Sequence, residues 1–336
     1  MSGASKESSS HKSQLLIGGL LATLALGFAF GRYAYPTPND PSDQVSTCNK
    51  DYPLLRTDLD CTEANDAYQR VNNIQDTLTT YIDEQKTAGN ITRASVFFRD
   101  LSTRRWAAVN KDDLYAPGSL LKVALAVAYF KLSEIEPSVM QQGFVYKSAS
   151  SSLNSMENFQ PEEKLVPGQT YLVDELISHM IEQSDNDTAT ILGQSIDMNF
   201  FNRVLSDLGI HLPTSGGNDQ DFLSVDRYAS ILRTLYLASY LNIDGSQKLL
   251  TLMSKTSFSE GIAGGVPDEI PVAHKFGERE VTDPKSGGEI SAELHDCGIV
   301  YKPDHPYILC VMTEGKSYDS LSKVLTEISK KVYEGQ

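Results

Sequence analysis

The chain has 336 residues, 40% of them apolar and 22% charged, which is enough to bury one large core or two intimately packed halves without metals or internal repeats. Against 29 Lys and Arg stand 44 Asp and Glu, a net charge of −15 with no long basic run. That balance excludes a grip on the phosphate backbone of nucleic acid, and any membrane contact must come from a dedicated segment rather than from charge.

Such a segment runs from Leu15 to Gly31, 17 uncharged residues followed by Tyr33 and Tyr35, where interfacial aromatics sit. Lys6, His11 and Lys12 precede it and an acidic stretch follows. Residues 1–14 therefore read as a cytoplasmic tail, 15–35 as a transmembrane anchor, and the remainder as extracytoplasmic and held at the cell membrane. A cleaved signal peptide is the alternative, and it also exports the domain. Residues 36–61, with Pro36, Pro38, Pro41 and Pro53 among Asn, Asp and Ser, read as a linker. Export permits disulfides. Cys48 and Cys61 flank the linker, while Cys297 and Cys310 lie in the runs LHDCGIVY and YILCVMT on either side of a KPDHP turn. With residues 302–305 as the loop, Cys297 faces Cys310, so the expected pairs are Cys48–Cys61 and Cys297–Cys310, with buried free thiols as the alternative.

Residues 62–336 read as one folded domain. Ala67, Val71, Ile74, Leu78 and Tyr81 recur at three- and four-residue steps and predict a long amphipathic helix ending before Gly89. Two strand-like runs, ASVFFRDL and RRWAAVN, follow around a Ser102-Thr103 turn. The segment Ser119 to Leu132 is apolar on every face and predicts a helix buried mid-domain, started by Pro117-Gly118. Further helices are expected from Val173 to Gln183, stopping at Ser184-Asp185-Asn186, from Asn199 to Leu208, and from Val225 to Leu241 behind a Ser224 cap. Strand periodicity returns in IPVAHKF, ELHDCGIVY and YILCVMT, and a closing helix carries Leu321, Val324, Leu325, Ile328 and Val332. This order describes an α+β protein: an antiparallel sheet lobe flanked by N- and C-terminal helices, with an all-helical lobe inserted.

A serine hydroxyl is a poor nucleophile until a neighbour accepts its proton, and a lysine does so when burial lowers its pKa. Ser119 and Lys122, three residues apart on a buried helix, share one face near free N–H groups that can hold an oxyanion. The spacing S-x-x-K recurs at Ser9 and Ser320, but only Lys122 would be desolvated. Ser184-Asp185-Asn186 and Lys275-Phe276-Gly277 follow in the chain.

S-x-x-K, S-D-N and K-T-G in this order mark class A β-lactamases and penicillin-binding proteins, and from about Thr62 to Val332 the chain resembles a class A β-lactamase-like serine hydrolase. The resemblance implies that Ser119 carries the acyl group, Lys122 takes its proton, and Ser184 relays a proton to the leaving nitrogen. It implies that Asn186 holds the substrate amide, that Lys275 supplies positive charge for a substrate carboxylate, and that the N–H groups of Ser119 and Glu278 form the oxyanion hole beside Gly277. The substrate would be a β-lactam or related amide or ester, with no cofactor and no metal. A penicillin-binding-protein-like carboxypeptidase or transpeptidase acting on cell-wall peptides is the alternative reading, and an inert envelope binding module is the alternative of another class.

Two departures qualify this. Phe276 stands where the family places a hydroxyl; if it points into the cleft, the substrate lacks the penicillin carboxylate or meets Lys275 alone. Residues 209–223 contain no Glu-x-x-Leu-Asn pattern, the source of the deacylating base, and Asp219 and Asp221 read as solvated turn residues, so slow deacylation is expected. The six histidines form no H-x-x-x-H pattern, and His274 and His295, on neighbouring strand-like runs, are expected to meet near Lys275 in a structural or substrate-contacting role.

Overall fold

Val71, Ile74, Leu78 and Ile82 make one buried stripe along helix α1 (Asp66–Thr87), and the stripe lies on the outer face of a sheet that begins with β1 (Arg93–Asp100) and β2 (Trp106–Val109). The structure, a computed structural model, describes residues 66–147, 154, 157–213, 220–282 and 290–336. The expected tail, anchor and linker, with Cys48, Cys61 and Asp219, lie outside those residues. Among the described residues, no helix is long and apolar enough to cross a membrane.

The inserted lobe starts in a 3₁₀ turn, Gly118–Leu120, that runs into α2 (Leu121–Ser133), where every residue from Lys122 to Phe130 is buried. A small ladder of β3 (Gly143–Val145) and β4 (Thr170–Leu172) leads into α3 (Val173–Glu182). Ser184-Asp185-Asn186 does end that helix, and it also starts the next. Asp185 accepts a hydrogen bond from Thr188 N at 2.9 Å and caps α4 (Asn186–Ser195), a helix the sequence reading missed. After α5 (Met198–Asp207), the helix expected through Leu241 stops early. α6 (Val225–Tyr236) closes through Ala238 at φ 46°, and Asn242 caps a separate α7 (Ile243–Met253).

The chain then returns to the sheet as β5 (Val272–Thr282), β6 (Ile290–Val300) and β7 (Tyr307–Gly315), closed by α8 (Tyr318–Glu334). The strand order is β2-β1-β7-β6-β5, with every ladder antiparallel. Because side chains alternate, Leu294, Val300, Leu309 and Val311 face α1 and α8, while Cys297, Ile299, Cys310 and Met312 face the helical lobe. Both faces are buried, which is why these strands read as nearly continuous apolar runs.

Cys297 and Cys310 are directly opposed on β6 and β7 and are joined by a disulfide, 13 positions apart in sequence. Closing a loop of that size is worth about 3 kcal/mol. The double variant Cys297→Ser/Cys310→Ser is therefore expected to lower the urea midpoint and, because the unfolded chain is no longer cross-linked, to steepen the slope, and an unchanged midpoint would contradict this.

Candidate active site

Ser119 lies in the 3₁₀ turn where the helical lobe leaves the sheet, partly exposed, with Lys122 one turn on and buried. Two glycines let the β5 backbone lie against this turn. A Cβ on Gly277 would stand 2.7 Å from Pro117 O and 3.2 Å from Leu120 N, and one on Gly118, at φ +50°, would stand 2.7 Å from Glu278 O. The backbones at Ser119 and Glu278 are thereby brought alongside. Among the described residues β5 ends the sheet order, and one row of its backbone groups faces the cleft with no strand of those residues beyond it.

Ser184 sits between two lysines. Lys122 Nζ donates to Ser184 O and, at 3.3 Å, to Ser184 Oγ, while Lys275 Nζ donates to the same Oγ at 2.8 Å. Ser184 holds φ 55°, a left-handed conformation that costs on the order of 1–3 kcal/mol in a non-glycine residue and persists only where its surroundings impose it. Here the two ammonium donors and the Asp185 cap do so. Burial lowers the Lys122 pKa to about 8, opposed by the negative charges of Glu157, Asp185 and Glu278. Lys275, fully buried, is likewise held well below the ordinary lysine value, first by burial and then by Lys122. A neutral Lys122 at the end of a Ser184 relay can accept and pass on a proton.

Asn186 opens α4 with its backbone N–H on Asn154 Oδ1 and its side-chain Nδ2 on Glu157 Oε1, both at 2.7 Å. The Glu278 carboxylate accepts the N–H groups of Asn158 (3.1 Å) and Phe159 (2.9 Å). Burial raises its pKa to about 7, with a further push from Glu157. Neither Asn154 nor Glu157 is found by sequence reasoning, since the segment around them carries no motif and no period.

Phe276 does not point into the cleft. Only 3% exposed, it stacks on Phe258 at 4.4 Å and meets Phe159 edge-on at 5.8 Å, on the outer face of the sheet. Nor do His274 and His295 meet. Register pairs His274 with Gly298 and His295 with Gly277, an odd offset that puts the two imidazoles on opposite faces. His274 Nδ1 lies 2.9 Å from Asp296 Oδ1. His295 Nδ1 accepts Thr313 N–H, so its Nε2–H donates to Ala116 O at 2.9 Å, and burial lowers its pKa to about 4. It is a neutral strut under the turn that carries Ser119. Asp221 is not a solvated turn residue either, being held by Arg93 at 2.8 Å and near Arg279 at 3.7 Å.

This lobe arrangement recurs among solved proteins. A class A β-lactamase from Bacteroides cellulosilyticus DSM 14838 superposes with a TM-score of 0.63 at 20% identity, over 78% of this chain and 98% of that one. TLA-1 extended-spectrum β-lactamase gives 0.64 at 20% over 78% and 98%. An acyl-enzyme complex of a PBP-A mutant with penicillin G gives 0.62 at 19% over 79% and 96%. Among curated proteins none matches. These likenesses define a β-lactamase/transpeptidase-like fold. The β-lactamase enzyme family matches residues 73–336, and the chain belongs to that family.

Proposed function

We propose that the chain is a serine acyl-transfer enzyme that forms an acyl-enzyme on Ser119 with a β-lactam or related amide or ester. The observation that carries this reading is Ser184 Oγ held between Lys122 Nζ and Lys275 Nζ at 3.3 and 2.8 Å, with Lys122 one helical turn from Ser119. Ser119 Oγ attacks the carbonyl carbon and gives its proton to neutral Lys122, while the N–H groups of Ser119 and Glu278 hold the oxyanion. As the carbon–nitrogen bond breaks, the leaving nitrogen takes a proton from Ser184 Oγ, which Lys122 replaces, so the lysine ends neutral as it began.

Release is the slow half of the reaction. The sequence from Gly209 to Leu223 holds no glutamate, and the carboxylate described in that stretch, Asp221, is tied to Arg93. The acyl group then waits for water or for an amine acceptor, which also accommodates a carboxypeptidase or transpeptidase acting on wall peptides. Intact-mass spectra of the protein with a panel of β-lactams and activated esters are expected to show a single adduct that is lost in Ser119→Ala and decays over minutes or longer. Rapid turnover would remove the slow step, and an adduct surviving in Ser119→Ala would remove the nucleophile.

We assign the domain to the extracytoplasmic side, tethered through residues 15–35. The buried Cys297–Cys310 disulfide supports export, because such bonds persist outside the reducing cytosol.

A further inference from the structure

In the motif pattern that this chain follows, the third-motif lysine and the hydroxyl after it together receive a substrate carboxylate. Here Phe276 has turned to the far face of β5 and offers no donor. An ammonium has three N–H groups. Two of those of Lys275 are directed inward, to Ser184 Oγ at 2.8 Å and Phe276 O at 2.9 Å, and its nitrogen lies 4.1 Å from the centre of the Phe276 ring. Arg279, the next cation along the strand, faces Asp221 and Glu293 at 3.7 and 3.9 Å.

Where a cation would be needed, the edge of the cleft carries acid. Glu157 occupies Asn186 Nδ2, the donor that the motif pattern assigns to the substrate amide, and it is hydrogen-bonded to Glu278. Glu278 in turn holds the Asn158 and Phe159 N–H groups, and the Phe159 ring packs on Phe258 and Phe276. The chain of contacts Asn186–Glu157–Glu278 thus runs from the helical lobe to the edge of β5. Burial and the nearby Glu157 hold the Glu278 pKa up, at about 7, and this edge of the cleft is net acidic. A substrate carboxylate brought beside Lys275 would add a like charge at short range in a partly desolvated cleft, against at most one remaining Lys275 N–H.

We propose that Glu157 is the specificity-determining residue of the cleft: together with Glu278 it closes the subsite beside Lys275 to acyl donors that carry a carboxylate there, and it reserves Ser119 for neutral or cationic ones. This rests on Ser119 being the acylated residue, and the experiment separates the two claims.

The probes are a matched pair, a reactive β-lactam with a free carboxylate and its methyl ester, each rate being divided by that probe's own rate with hydroxide. With the full chain in detergent, intact-mass kinetics are expected to show the ester acylating Ser119 at least about 30-fold faster than the acid, a ratio that like-charge contact at this range supports. Glu157→Gln keeps an acceptor for Asn186 and removes one of the two carboxyl groups while leaving that of Glu278, and it is expected to lower the ratio at least about threefold. An acid that reacts as fast as the ester, or a ratio unchanged in Glu157→Gln, overturns the proposal. Calorimetric binding of the same pair to Ser119→Ala decides the matter independently of chemistry. If neither probe labels the wild type, the acylation reading falls; tighter binding of the ester then still supports the role of Glu157, and equal or tighter binding of the acid overturns it.

Discussion

Lys122→Met is expected to slow acylation of Ser119 by about 10³-fold and to abolish its dependence on pH between 6 and 9, because a positioned general base contributes roughly 10²–10⁴. The working form of Lys122 is the neutral amine, and its pKa has been lowered to about 8, chiefly by burial. In the wild type the acylation rate should therefore climb about tenfold per pH unit below that value and level off above it. Lys122→Arg should not restore activity, since a guanidinium stays protonated throughout. The same shift has a stability consequence. A lysine whose folded pKa lies below its unfolded value binds fewer protons when folded between pH 8 and 10.5, so stability rises with pH across that window. The protonated residue costs the folded state on the order of 3 kcal/mol near neutral pH, a penalty that the methionine variant does not carry. Stopped-flow acylation across pH reads the first effect; a rate midpoint near pH 8 that survives in Lys122→Met would assign the titration to another group.

How much of this was legible beforehand depends on the range of the interaction. Ser119 and Lys122 are three residues apart, and the apolar run around them announces burial, so the pair and its desolvation were readable. Cys297 and Cys310 were readable for a related reason, since a short turn sets strand register and register alone puts them opposite each other. The same register, applied to His274 and His295, would have separated them onto opposite faces. Ser184-Asp185-Asn186 was visible as a turn, yet a helix stop and a helix start share the same Ser/Asp/Asn chemistry, and α4 was lost in that ambiguity. Glu157 was invisible. Its partners Asn186 and Glu278 lie 29 and 121 positions away in a segment with no period, and only the folded path of that segment brings it across the cleft. Phe276 is intermediate: strand alternation says that it shares a face with Glu278, whereas the aromatic cluster that fixes it comes from three separate parts of the chain.

Gly277→Ala tests whether the contact between strand and turn is what builds the oxyanion site. The added methyl would sit 2.7 Å from Pro117 O, 3.1 Å from Leu120 Cγ and 3.2 Å from Leu120 N. Two of those three neighbours are backbone atoms, so the contact is relieved by moving β5 away from the turn rather than by rotating a side chain. Overpacking of this kind costs about 1–3 kcal/mol of stability. The expected catalytic loss is larger, about 10²–10³ in the acylation rate, because an oxyanion donor displaced by a few tenths of an ångström no longer points at the developing charge. The loss should fall on the chemical step, with binding of an unreactive analogue in a Ser119→Ala background changed less than about threefold. Gly118→Ala should do at least as much damage, since its φ of +50° is strained for any residue with a Cβ and the methyl would meet Glu278 O at 2.7 Å. The distinction is useful because Lys122→Met and Gly277→Ala would lower the same rate for different reasons. The lysine variant should flatten the pH profile. The glycine variant should keep the rise toward pH 8 and lower it uniformly, because it leaves the proton acceptor untouched. A Gly277→Ala protein that folds and acylates at the wild-type rate would mean that the N–H groups of Ser119 and Glu278 do not stabilise the transition state.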